Sequence, residues 1–291
     1  MIGVVFSIIA PVFVCAGIGF IWTRSGRAFD TELVTSLVIN IGTPCLVFAT
    51  LARLELNLQT FGSMALAAAV ATAGLAGVSA VVLKISGHSQ RAFLPAMMFT
   101  NCGNMGLPLS LLAFGEKGLA LAITFFTVSV VVMFTVGVGI SAGTVSVRKL
   151  AAMPVFYAVG AALVFMIADA KPPEWIANTT KILGEMTIPL MLLTLGISLG
   201  GLRIGGIRRS LALSVAKLAI GFAVGVAVAE AFGFEGAERG VLILQTALPV
   251  AVFSYLFAER YKTSSEEVAG MVVVSTALSF ATLPVLLWYL L

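Results

Sequence analysis

Thr100-Asn101-Cys102-Gly103-Asn104-Met105-Gly106-Leu107-Pro108 lies midway along one of the most hydrophobic stretches of the chain. Two amides, two glycines and a proline stand where a membrane helix should be seamless. Pro108 has no N–H, so the carbonyl of Asn104, four residues back, loses its helical partner. Gly103 and Gly106 let the backbone leave helical geometry. In hydrocarbon an unpaired backbone group is costly, so such a stretch survives only when buried in protein or lining a wet cavity. A second interruption, Gln245-Thr246-Ala247-Leu248-Pro249, lies in the other half of the chain. Interrupted helices at corresponding positions of two halves point to the binding site of a secondary transporter.

The rest of the sequence supplies the membrane that this reading needs. Hydrophobic residues make up 60% of the chain and charged residues 10%, and the mean hydropathy is +1.10, outside the range of soluble domains. The net charge of +4 is scattered over short loops, without the clustered basic face that nucleic acid requires. Cys15, Cys45 and Cys102 sit in apolar runs without metal-ligand spacing, which predicts reduced, buried thiols. The N-terminal apolar run Ile2 to Trp22 has no basic region before it and is long enough to span, so it reads as a helix and not as a signal peptide.

Segmentation at charges and Gly/Pro clusters predicts an all-α polytopic membrane protein with ten transmembrane helices. They cover about 2–22, 33–52, 61–83, 92–114, 118–142, 151–168, 181–201, 210–233, 240–258 and 268–290. The Lys and Arg count is eleven in loops opposite the termini, among them Arg24, Arg27, Arg208 and Arg209, and five on the termini's own side. The positive-inside rule then places both termini outside. The chain also repeats itself. Pro11 to Gly17 resembles Pro154 to Gly160 at an offset of 143, Pro44 matches Pro189 at 145, and the interrupted spans 4 and 9 align through Phe114 and Ala258. Five spans per copy is odd, so the second copy enters from the opposite face, giving an inverted repeat. The expected division is residues 1–142, a short cytoplasmic linker at 143–153, and residues 154–291.

Polarity within the spans collects at prolines. Asn40/Pro44, Asn104/Pro108, Glu185/Pro189 and Gln245/Pro249 each place a polar residue four before a proline, on the carbonyl the ring frees. Kinked helices with amides joining neighbours are the structural alternative. If spans 4 and 9 cross near the midplane, half-helix N-termini offer unpaired N–H groups and partial positive charge to an anion. The candidate substrate-binding residues are Asn101, Gly103, Asn104, Gly106, Pro108, Gln245, Thr246 and Pro249. Supporting candidates are Asn40, Glu185 and Lys217. Glu185, about 6 Å into span 7, is a candidate to carry a coupling proton or ligate Na⁺, or else pairs with Lys181 at the interface. Lys217, about 9 Å into span 8, either balances an anion, pairs with Glu185 or snorkels to the surface. No cofactor, metal cluster, catalytic triad or nucleotide-binding loop is evident.

Asn101 with Met105-Gly106-Leu107-Pro108, the run Gln245, Ala247, Leu248, Pro249, Phe257, Ala258, Tyr261, and Asn40 to Phe48 resemble the auxin efflux carrier family, which includes the plant PIN-type carriers. The resemblance covers nearly the whole chain. It implies a ten-helix, five-plus-five inverted-repeat fold with crossing broken helices 4 and 9, akin to bile acid/sodium symporters. It further implies a homodimeric scaffold of spans 1, 2, 6 and 7, a mobile transport part of spans 3–5 and 8–10, and carboxylate contact by Asn101 and the Pro108/Pro249 crossover. Plant members carry a long segment between spans 5 and 6 where this chain has only Gly143 to Met153, so the short form resembles bacterial members, expected in the cytoplasmic (inner) membrane. The reading that follows is a secondary transporter moving a small carboxylate by alternating access, with H⁺ or Na⁺ as the coupling ions open to it. A coupled antiporter, or a ligand-binding receptor that does not transport, is the alternative.

Overall fold

The computed structural model describes residues 2–53, 58–142, 153–203 and 205–291. Residues 143–152 of the expected linker lie outside the described residues. The described residues are helical apart from short connections, and their β structure is a single isolated bridge. In chain order the helices are α1 (Ile2–Arg24), α2 (Thr31–Leu37), α3 (Thr43–Arg53), α4 (Leu58–Ile85), α5 (Gln90–Met98), α6 (Leu107–Val132) and α7 (Val138–Ala142). They continue with α8 (Pro154–Ile167), α9 (Glu174–Glu185), α10 (Thr187–Gly201), α11 (Ile207–Ala231), α12 (Gly236–Ala247), α13 (Val252–Arg260) and α14 (Ser265–Leu290). Wide π-helical turns at Val38–Gly42, Cys102–Gly106 and Met133–Gly137 join α2 to α3, open α6 and join α6 to α7.

Seven continuous stretches among the described residues are long and apolar enough to cross a membrane: Ile2–Arg24, Thr31–Ala52, Leu58–Ile85, Cys102–Ile140, Glu174–Gly201, Ile207–Ala231 and Ser265–Leu290. The ten expected spans exceed this number because the remaining apolar helices, α5, α8, α12 and α13, are short. At 1.5 Å per residue, the 14 residues of α8 reach about 21 Å, less than a hydrocarbon core. Expected spans 4 and 5 run together in Cys102–Ile140, interrupted by Gly115 at φ 66°, ψ −159°. A φ in the left-handed region suits glycine, and it falls where the sequence separates the two spans.

Two of the three wide turns, and the join of α9 to α10, lie just before prolines. The turn Val38–Gly42 contains Asn40 and precedes Pro44, and Cys102–Gly106 contains Asn104 and precedes Pro108. The join of α9 to α10 at Met186 precedes Pro189. In each case the ring removes a donor from the carbonyl four residues back, and the backbone widens or breaks to accommodate it.

Branched side chains cover the outer face of α4, and alanines line part of its packed face. On α4, Leu66, Val70, Val78 and Val81 are exposed while Ala67, Ala68 and Ala71 are fully buried. This is how helices pack when lipid, not water, covers the outer face: small residues bring backbones close, and apolar bulk faces the tails. The closest approach is between α1 and α10. A Cβ at Gly196 would run into the Ala16 carbonyl, and one at Gly19 into the Leu193 carbonyl. Elsewhere α11 packs along α12 and α14, and α3 packs against α8.

Candidate functional site

The helix ending at Met98 and the helix ending at Ala247 both unwind, and their extended segments meet. Thr100 and Val250 form an antiparallel β-bridge. The Asn101 N–H donates to the Pro249 carbonyl at 2.8 Å, and the Ala251 N–H donates to the Phe99 carbonyl at 3.1 Å. Each break therefore satisfies backbone groups that the other would leave unpaired in an apolar interior. The bridge equates Thr100 with Val250, 150 positions apart (250 − 100), whereas aligning Phe114 with Ala258 gives 144 (258 − 114). Pro249 stands within its break, but Pro108 lies beyond the first, in the opening turn of α6.

Beside this bridge is a cavity of about 490 Å³, within the range of small-molecule sites. Its floor is Thr100, Asn101, Cys102, Gly103 and Asn104 from the first break and Ala251 and Val252 from the second. Phe126, Met133, Phe134, Met191 and Phe253 form apolar walls. Thr194 and Ser198 on α10, with Thr23, Thr31 and Thr35, form a hydroxyl-lined side leading to Arg27. Arg27 is exposed, and its guanidinium stacks over the Trp22 ring at 5.0 Å. No Asp, Glu or Lys lines the cavity among the described residues.

The floor holds one buried donor without a partner. Asn101 is 4% exposed, and its Nδ2 has no hydrogen-bond partner. The Asn101 carbonyl accepts from the N–H groups of Met105 (3.2 Å) and Gly106 (3.1 Å), which leaves the first-turn N–H groups at Cys102, Gly103 and Asn104 without intrahelical acceptors. No side chain caps this turn or the start of α13, whose cap residue is Ala251. Two helix N-termini, a buried amide and a guanidinium at the rim all favour negative charge. The hydroxyl of Thr194 is also buried without a partner.

The other candidates lie apart from the floor. Gln245 is fully buried behind the break, where it donates from Nε2 to Ser110 Oγ at 3.3 Å and packs on Gly106, which has no room for a Cβ. Thr246 is buried too, its hydroxyl bonded back to the Leu242 and Ile243 carbonyls, both at 3.0 Å. Asn40 is exposed and donates to Ser36 on its own helix, to the carbonyl at 2.9 Å and the hydroxyl at 3.1 Å. Glu185 is exposed and pairs with Lys181 at 3.7 Å, a surface pair one helical turn long. Lys217 neither snorkels nor pairs with Glu185: it is wholly buried, and its Nζ donates to the Thr246 carbonyl at 3.2 Å. The structure thus brings together Asn101, Gly103 and Asn104 at the cavity, with Gln245, Thr246, Pro249 and Lys217 as a layer behind it.

The sequence profile of the family described as "Membrane transport protein" matches residues 4–144 and again 138–289. The chain belongs to this family of membrane transport proteins, that of the auxin efflux carriers. An uncharacterized transporter of Methanocaldococcus jannaschii is 23% identical to it over 273 residues, covering 88% of each chain. An uncharacterized transporter of Methanothermobacter thermautotrophicus is 25% identical over 276 residues, covering 89% of this chain and 88% of the relative. The protein is accordingly a multi-pass membrane transporter and not an enzyme.

Thr194 and Ser198 did not stand out in the sequence. Their signal is the four-residue spacing that puts two hydroxyls on one face of an otherwise apolar helix. Replacing Thr194 by Val keeps the shape and removes an unpartnered hydroxyl. A neutral hydrogen bond contributes about 1 kcal/mol, so ligand affinity should fall about fivefold with Tm unchanged, as titration of the purified carrier would show.

Proposed function

We propose that the protein is a secondary transporter that moves a small organic anion, a carboxylate, across the bacterial cytoplasmic membrane by alternating access. The observation that carries this reading is the Asn101 amide, buried and unpartnered on the floor of a cavity where two helix breaks meet. A carboxylate there would accept from Nδ2 and from the first-turn N–H groups of two helices, meeting no acidic group on the lining. Arg27 at the rim would draw the anion in, and the apolar walls would hold its carbon skeleton.

The architecture in this reading is ten spans in two inverted five-helix repeats, with α5/α6 and α12/α13 as the broken, crossing helices. The bridge at Thr100 and Val250 supports it, because it joins corresponding interruptions in antiparallel sense. The positive-inside count puts both termini outside, so a cavity that reaches Arg27 represents the inward-open state. The spans that would form the scaffold of a homodimer are 1, 2, 6 and 7.

The test is thermal unfolding of the purified protein against a panel of mono- and dicarboxylates, followed by uptake into proteoliposomes. A ligand that binds only the folded state raises Tm by mass action. The expected result is a selective shift by one carboxylate, with flux of the same compound. Equal Tm across the panel would remove the anion assignment, and binding without flux would make the protein a receptor.

A further inference from the structure

Lys217 is a buried lysine that the anion site does not use directly. It lies on α11, fully buried, with its Nζ on the Thr246 carbonyl at 3.2 Å. The break makes that carbonyl available. In an unbroken helix Thr246 would accept from the Val250 N–H, but here that N–H donates to Ser275 Oγ at 3.0 Å. Thr246 is thus an orphan acceptor in the last turn of α12, at the negative end of the helix dipole. Among the described residues no carboxylate forms a salt bridge with Lys217.

The seam is built to hold the lysine there. Gly221, one turn further along α11, lies so close to α12 that a Cβ would strike the Thr246 carbonyl. Lysines within membrane helices ordinarily reach for the interface, and burying an ammonium without a counter-ion carries a heavy desolvation penalty. Among the described residues, the titratable side chain that interacts with it is Cys102, which also lines the cavity. Lys217 itself does not line the cavity. A second oxygen of the same layer, Gln245 Oε1, is buried without a partner. Backbone carbonyls freed at the C-terminal ends of broken helices are groups that coupling cations also seek.

We propose that the Lys217 ammonium is a built-in monovalent cation, seated on the carbonyl end of α12 at the break where a sodium-dependent carrier would hold an ion taken from solution. The protein then carries its own positive charge behind the anion, and ligand binding needs no Na⁺. Truncating the side chain opens a cation site lined by the Thr246 carbonyl. The inference rests on the reading of the paired breaks as the substrate site. Its test uses carboxylate-free buffer, so the two can fail separately.

The experiment measures Tm of the full-length wild type and of Lys217→Ala in sodium, methylammonium and choline chlorides at equal ionic strength. Wild type should unfold at one temperature in all three salts. Lys217→Ala should unfold lower in choline and gain a saturable rise in Tm with Na⁺ or methylammonium, which fit the vacated space where choline does not. Lys217→Ser serves if the alanine variant does not fold. A wild-type Tm raised by Na⁺ over choline would overturn the proposal, as would a folded variant equally stable in all three salts.

Discussion

Asn101→Ala protein should fold normally and bind the proposed carboxylate about 10- to 100-fold more weakly. A hydrogen bond to a charged group contributes about 1.5–3 kcal/mol, and each 1.4 kcal/mol is about tenfold in Kd. The Nδ2 group donates to nothing within the protein, so its removal breaks no internal contact, while the Asn101 backbone keeps its bond to Pro249. Affinity and stability should therefore separate: calorimetric or thermal-shift titration shows lost binding, and the unliganded Tm stays at the wild-type value. A variant that binds as tightly as wild type would place the anion elsewhere in the cavity. A variant that loses Tm as much as affinity would make Asn101 a structural residue. Asn101→Asp sharpens the test, since it puts a negative charge where the ligand's would lie and should abolish binding.

Gly196→Val should prevent assembly of the fold. The added Cβ meets the Ala16 carbonyl and carbon and the backbone nitrogen of Phe20, so no side chain can rotate aside. Overpacking against side chains costs about 1–3 kcal/mol; here whole helices must part, and α1 and α10 form the closest packed helix pair among the described residues. Without a hydrophobic force between helices in lipid, packing is what holds them together. The purified variant should elute as aggregate or show a Tm many degrees below wild type. Gly17→Val, on the partner helix α1 with open space around it, should behave as wild type and serves as the control.

Much of this was legible in the sequence because prolines and glycines act locally. Pro44, Pro108, Pro189 and Pro249 marked four irregularities, and each appears within a few residues of the expected place. The Met133–Gly137 turn has no proline to announce it; what it contains is Gly137, whose missing side chain makes room for the Phe99 ring. Whether a polar residue faces the cavity was not legible. Asn40 and Asn104 each stand four residues before a proline, yet one bonds to its own helix at the surface and the other lies on the cavity floor. Rotation about the helix axis decides that, and neighbouring helices set the rotation. Lys217 shows the same limit: depth along a span was readable, but not the closeness of Gly221 to α12, which turns the side chain inward.

The bridge between Phe99–Asn101 and Pro249–Ala251 is made wholly of main-chain atoms. Such a joint is indifferent to the side chains that decorate it, provided that positions 101 and 251 keep their N–H groups. Proline is thus the one residue type barred from both. The lining around the joint is then free to diverge. On the proposed reading of the cavity, a lineage can exchange Thr194, Phe126 or Asn104 and alter what it recognises without unfastening the two halves of the molecule, so new specificities can arise by single substitutions on an unchanging frame.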